Sequence, residues 1–138
     1  MVAKKWLDGE VSLDPIKDLT IAVLGYGIQG SAQACNMKDS GINVIVGLRP
    51  GGGSWSNAEK DGHKVMSVAE SVKQADIIHI LIPDMEQEKT FKNEIGPSLS
   101  ANNAISFSHG AAIHWKWIAA PENVDVFMVA PKGPGQRV

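Results

Sequence analysis

The chain has 138 residues, 43% hydrophobic and 20% charged, the balance of one ordinary globular domain. A net charge of −2 with no basic run excludes a surface built to follow nucleic acid, and no apolar run nears the roughly 20 residues that cross a bilayer. Cys35 is the single cysteine, so no internal disulfide and no CxxC metal site can form; it fits a reducing cytoplasm and reads as a small buried hydrophobe.

The opening MVAKKWLDGEVSLD has two lysines but no apolar stretch behind them, which excludes a secretory signal; residues 1–18 read as a surface arm. Beyond it, apolar runs alternate with helical patterns. Strands are predicted at 20–25 (TIAVLG), 43–48 (NVIVGL), 75–83 (ADIIHILIP), 103–110 (NAISFSHG) and 124–131 (VDVFMVAP), with a weaker one at 63–67 (HKVMS). Their near-continuous apolar character is that of strands buried on both faces. Helices are predicted at about 28–40, 55–61, 68–74, 85–95 and 111–119, several of them closed by Gly41, Gly62, Pro97 or Pro121. This alternation implies an α/β fold, a Rossmann-like doubly wound parallel sheet with helices on both faces. The closing APKGPGQRV follows a strand with no helix pattern behind it. The expectation is an incomplete dinucleotide-binding domain over 1–138, its last strand exposing apolar surface.

Gly25, Gly27 and Gly30 form G-x-G-x-x-G between the first strand and the first helix. In that context the glycines serve a tight turn, close approach of backbone to a pyrophosphate, and close packing of helix on strand. The anion would sit on the N–H groups and positive dipole end of the helix. Dinucleotide folds that take NAD carry an acid about 20 residues on. The second strand ends instead in GLRP, and the fork of donors on Arg49 matches a 2′-phosphate, with Ser54 and Ser56 in the next loop as further donors. NADP is thus favoured over NAD. After the fourth strand, PDMEQE places Asp84 and Gln87 along the same crevice, where they read equally well as helix-cap residues, Asp84 at the N-cap position.

Among the histidines, His63 and His79 lie in strand patterns and read as structural, and His114 sits among tryptophans and reads as packing. His109, in SFSHG at the carboxyl end of a strand, stands where open α/β sheets bind ligands and suits proton transfer or substrate orientation. Lys132, in APKGPG, stands at the equivalent end of the last strand and suits an acidic substrate. No metal site is evident, since the acidic pairs form no carboxylate cluster.

The segments LGYGIQGSAQACNMKDSGINVIVGLRPGGGSW, ADIIHILIPDMEQ, SFSHG and VDVFMVAPKGPG together resemble the N-terminal domain of ketol-acid reductoisomerase, also called acetohydroxy-acid isomeroreductase, from about Leu19 to Gly135. The resemblance implies Mg²⁺-dependent alkyl migration in 2-acetolactate or 2-aceto-2-hydroxybutyrate, then reduction by NADPH, in branched-chain amino-acid biosynthesis. It further implies that Tyr26, Gly27, Ile28 and Gln29 contact the cofactor diphosphate beside Gly25 and Gly30. Arg49 and Ser54 would hold the 2′-phosphate, Asp84, Met85, Glu86 and Gln87 would lie along the cofactor, and Gly135 would make another contact. His109 and Lys132 take the catalytic positions. The Mg²⁺ ligands and most of a homo-oligomer interface belong to a C-terminal helical domain outside this chain. Family members often carry GYGSQGHAHA where this chain has GYGIQGSAQA, and serine where Gly52 stands; the latter admits NADH as a second cofactor. A stand-alone NAD(P)-binding module without catalysis is the alternative, and a 3-hydroxyacid or prephenate-type dehydrogenase is disfavoured by SHG and PKGPG.

Overall fold

The structure, a computed structural model, describes residues 4–7 and 9–133. Six strands, β1 (Thr20–Leu24), β2 (Asn43–Gly47), β3 (Lys64–Met66), β4 (Ile77–Ile80), β5 (Ala104–Phe107) and β6 (Asp125–Met128), form one all-parallel sheet in the order β3-β2-β1-β4-β5-β6. Five helices connect them: α1 (Ile28–Asp39), α2 (Trp55–Lys60), α3 (Val68–Gln74), α4 (Asp84–Thr90) and α5 (Ala111–His114). This is the doubly wound order, and it reverses between β1 and β4, the place where such sheets open a ligand crevice.

Alternation along each strand divides the core in two. Ile21, Val23, Val44 and Val46 pack with Ala34 of α1 and Ala58 of α2. Ala22, Leu24, Ile78, Ile80, Ile105 and Phe107 pack on the other face with Val68 and Val72 of α3, Phe91, Ala112 and Ile118. Two hydrogen bonds fasten the start of the junction between the halves. Asp76 accepts from the Thr20 N–H through Oδ2 at 2.8 Å, and its own N–H donates to the Thr20 carbonyl at 2.9 Å, across 56 residues of sequence. Helix α3 begins with a capping box, Ser67 and Glu70 satisfying each other's backbone N–H groups.

Two predicted helices come out differently. The stretch 85–95 is α4, then a wide π-helical turn over Phe91–Ile95, then a 3-10 turn over Gly96–Ser98. Pro97 cannot continue an α-helical ladder, and the wide turn brings both Phe91 and Ile95 inward. The stretch 111–119 stops at His114. Lys116 turns left-handed (φ 58°), the Trp117 N–H reaches the Ala112 carbonyl at 2.9 Å, and the Lys116 N–H reaches Ile113 at 3.1 Å. That Schellman end tucks Ile118 into the core. The described residues of the arm before β1 are exposed as expected, except that Ile16 packs against the α1–α2 side. Strand β6 is the uncovered edge, with Val126, Phe127, Met128 and Val129 all 40–59% exposed.

Candidate functional site

The three glycines of the first turn have different reasons to be glycine. Gly25 has φ +99°, and a Cβ there would stand 2.9 Å from the Leu81 carbonyl oxygen. A Cβ on Gly30 would collide with the Gly25 carbonyl oxygen. Packing of β1, α1 and β4 therefore explains both. Gly27 is extended (φ −86°, ψ −160°), and a Cβ there would meet nothing within 4 Å. Among the described residues nothing packs where a Gly27 Cβ would stand, so packing does not explain this glycine.

Gly27 is also the N-cap of α1, with no side chain capping the helix and no acid in its first turn. The N–H groups of Ile28, Gln29 and Gly30 have no intrahelical acceptor, and the dipole leaves them positive. Ile28 is 60% exposed beside them. Tyr26 turns inward and donates its hydroxyl proton to Asp61 Oδ2 at 2.7 Å; burial, then the hydrogen bond to Asp61, hold that phenol protonated well above its ordinary range. Cys35 is half-buried rather than buried, its sulfur 3.6 Å from both the Tyr26 hydroxyl and His63 Nε2, because α1 turns it toward this polar corner.

From the glycine turn a crevice of about 560 Å³ opens along the carboxyl ends of β1, β2 and β4. Gly47, Leu48 and Arg49 form one wall with Gly52–Trp55, and Leu81, Ile82, Pro83, Glu86, Lys89 and Thr90 form the other. Arg49 is exposed, and among the described residues its guanidinium makes no hydrogen bond or ion pair. Ser54 is half-buried on the lining, whereas Ser56 is exposed and off it.

Of the four residues at the start of α4, only Glu86 lines this crevice. Pro83, not Asp84, takes the N-cap position, because its fixed φ of −54° sets the entry to the helix; Asp84 is the first helical residue. Met85 is 86% exposed. Gln87 is buried; its Nε2 donates to the Ile82 carbonyl at 3.0 Å and to Asp84 Oδ1 at 3.1 Å, while its Oε1 is a buried acceptor with no partner among the described residues. Asp84 Oδ2 lies 3.6 Å from His109 Nδ1, so the ends of β4 and β5 bring an acid and a histidine together in the open. Lys132 is exposed beyond β6, and Gly135 lies outside the described residues.

A family model described as the acetohydroxy acid isomeroreductase NADPH-binding domain matches residues 15–138. The chain belongs to that family. Over 137 residues the chain is 69% identical to a Nitrosopumilus maritimus protein and 58% identical to a Pyrococcus abyssi protein, both named ketol-acid reductoisomerase (NADP(+)). These matches cover 99% of the chain and 41% of each relative, so the chain spans about two fifths of their length. Its fold superposes on an NADH-preferring ketol-acid reductoisomerase from an uncultured archaeon with a TM-score of 0.91 at 46% identity, covering 94% of this chain and 41% of that one. A 3-hydroxyisobutyrate dehydrogenase from Mycobacterium tuberculosis shares the fold alone, with a TM-score of 0.68 at 20% identity over 86% of this chain and 42% of that one.

Among the described residues no three His, Cys, Asp or Glu side chains gather around a common point. No described helix is long and apolar enough to cross a membrane. Two histidines that the chain buries away from the crevice, His63 and His79, carry an acid sensitivity. Burial first, and for His63 the Lys38 ammonium next, push both below the ordinary 6.5. The unfolded chain therefore takes up protons first as pH falls below about 6.5, so stability present at neutral pH declines toward the lower folded values. The slope reaches about 1.4 kcal/mol per pH unit for each proton excluded. Denaturant midpoints at pH 7.5 and 5.5 check this; equal midpoints would contradict the burial of neutral imidazoles.

Proposed function

We propose that the chain is the cofactor-holding part of a cytoplasmic, homo-oligomeric ketol-acid reductoisomerase, which converts 2-acetolactate or 2-aceto-2-hydroxybutyrate into a 2,3-dihydroxy-3-methyl acid for branched-chain amino-acid synthesis. The observation that carries the reading is Gly27, bare against open space at an uncapped helix N-terminus while Gly25 and Gly30 are explained by packing. NADPH fits the residues present, and when bound it supplies the hydride of the reductive step.

Gly25 to Gly30 hold the diphosphate on the first-turn N–H groups of α1, with Tyr26 anchored beneath. Arg49 and Ser54 hold the 2′-phosphate. Asp84 to Gln87 lie along the nicotinamide half, with Glu86 on the crevice wall. His109, beside Asp84, moves a proton at the substrate, and Lys132 complements the substrate carboxylate. Gly135 makes a further cofactor contact. The lone cysteine accords with a reducing cytoplasm.

A fluorescence titration of the chain with NADPH and NADH tests the reading, since Trp55 stands on the crevice wall. Saturable quenching with tighter binding of NADPH is expected. A folded chain that binds neither cofactor would overturn it.

A further inference from the structure

On the α1 side of the sheet, an unbroken polar chain joins half-buried Gln29, Gln33 and Ser108 to buried His79 and Ser106. Gln33 of α1 is its hub. Its Nε2 donates to Gln29 Oε1 at 3.0 Å and to Ser108 Oγ at 3.2 Å, while His79 Nε2 lies 2.8 Å from its Oε1. His79 Nδ1 is 2.6 Å from Ser106 Oγ, and Ser108 Oγ donates to the Val129 carbonyl at 3.0 Å. His79 and Ser106 are 5% and 3% exposed.

One assignment gives every donor an acceptor. Gln33 Oε1 only accepts, so His79 Nε2 carries the proton and Nδ1 accepts from the Ser106 hydroxyl. The imidazole is therefore neutral and its ring orientation fixed from both sides. A buried imidazole costs free energy that an aliphatic residue on β4 would not, and full pairing is what makes it tolerable.

One arm of the hub ends in the glycine turn that lines the crevice, and the other ends beside the His109 turn at the end of β5. Gln29 lies within the glycine turn, and Ser108 is the residue before His109. We propose that Gln33 and His79 are positioning residues: the Gln33 amide, locked by His79, sets the glycine turn through Gln29 and the His109 turn through Ser108, so that ordering one orders the other. The proposal rests on the cofactor reading for its function, but the coupling itself does not need a ligand.

The test measures amide hydrogen exchange and NADPH affinity in the whole chain and three variants. His79→Leu should weaken NADPH binding about tenfold, the scale of one lost hydrogen bond, and speed exchange alike at the Ser31 N–H, bonded to the Gly27 carbonyl, and at the His114 N–H, bonded to the Gly110 carbonyl. His79→Gln, which keeps an N–H donor for Gln33, should restore both. Ser108→Ala should speed exchange at the His114 N–H alone and abolish its further protection by NADPH. The proposal is overturned if His79→Leu leaves either turn unchanged, or if His79→Gln disturbs both as much as leucine does, since packing alone would then be responsible. If His79→Leu fails to fold, Ser108→Ala decides: retained protection of the His114 N–H by NADPH overturns the coupling. A parent chain that binds no NADPH sinks the cofactor reading, and exchange without ligand then tests the coupling by itself.

Discussion

Gly30→Ala is expected to unfold this domain at markedly lower temperature, whereas Gly27→Ala is expected to leave its stability intact and weaken NADPH binding. At Gly30 a new methyl must displace the Gly25 carbonyl, which is itself held by a left-handed turn against Leu81 and by its N–H bond to Gly47 (3.2 Å). Neither neighbour is a flexible side chain, so the strain stays in the backbone. Overpacking of this kind costs about 3 kcal/mol, a large part of a domain's 5–15 kcal/mol, and lowers Tm by roughly 10 °C. At Gly27 the methyl enters empty space, and Tm should change by no more than about 2 °C. It should still weaken NADPH about tenfold or more, by standing where the diphosphate approaches the helix N–H groups. Thermal melts and cofactor titrations of the two variants check both statements. A Gly27→Ala chain that binds NADPH as the parent does would remove the main support for the proposed site.

The second large effect is on cofactor choice. Arg49 stands at the crevice mouth with no partner among the described residues, so its removal strands no other group of the protein. Arg49→Ala should leave Tm and NADH binding unchanged. It should weaken NADPH by about 1.5–3 kcal/mol, roughly 10- to 100-fold, the value of a charge-assisted bond to phosphate. The relatives make the experiment informative, since two are named for NADP(+) and the superposed archaeal structure is NADH-preferring. Equal loss for both cofactors would place the guanidinium on the shared diphosphate or ribose instead of the 2′-phosphate.

Much of this architecture is legible in the chain because parallel strands buried on both faces are written as apolar runs. TIAVLG, NVIVGL and NAISFSHG each contain the strand expected of them. The glycine turn is legible for a related reason: three glycines in six positions disfavour both neighbouring elements, so their presence demands an explanation. What stayed hidden depends on contacts between distant residues. The end of α5 rests on a left-handed Lys116, a residue type that gives no warning of it, and on the pull of Ile118 into the core. His79 was readable as structural but not as a hub, because its partners lie 27 and 46 positions away. Met85 and Gln87 share one short motif, yet one faces water and the other the interior; a helix of seven residues gives too little periodicity to separate them.

The pairing of β1 with β4 has a consequence for how the molecule comes together. Each half of the sheet closes over short loops; Asn43 and Thr20 in adjacent strands are 23 residues apart. The clasp between Thr20 and Asp76 spans 56, the longer loop to close and the slower kind of contact to make. The crevice exists only once that pairing has formed, and its walls are drawn from both halves. A dinucleotide lying across it would be a ligand of the finished sheet and not of either half. Its binding free energy would then add to the least local contact of the fold, in proportion to the logarithm of its concentration.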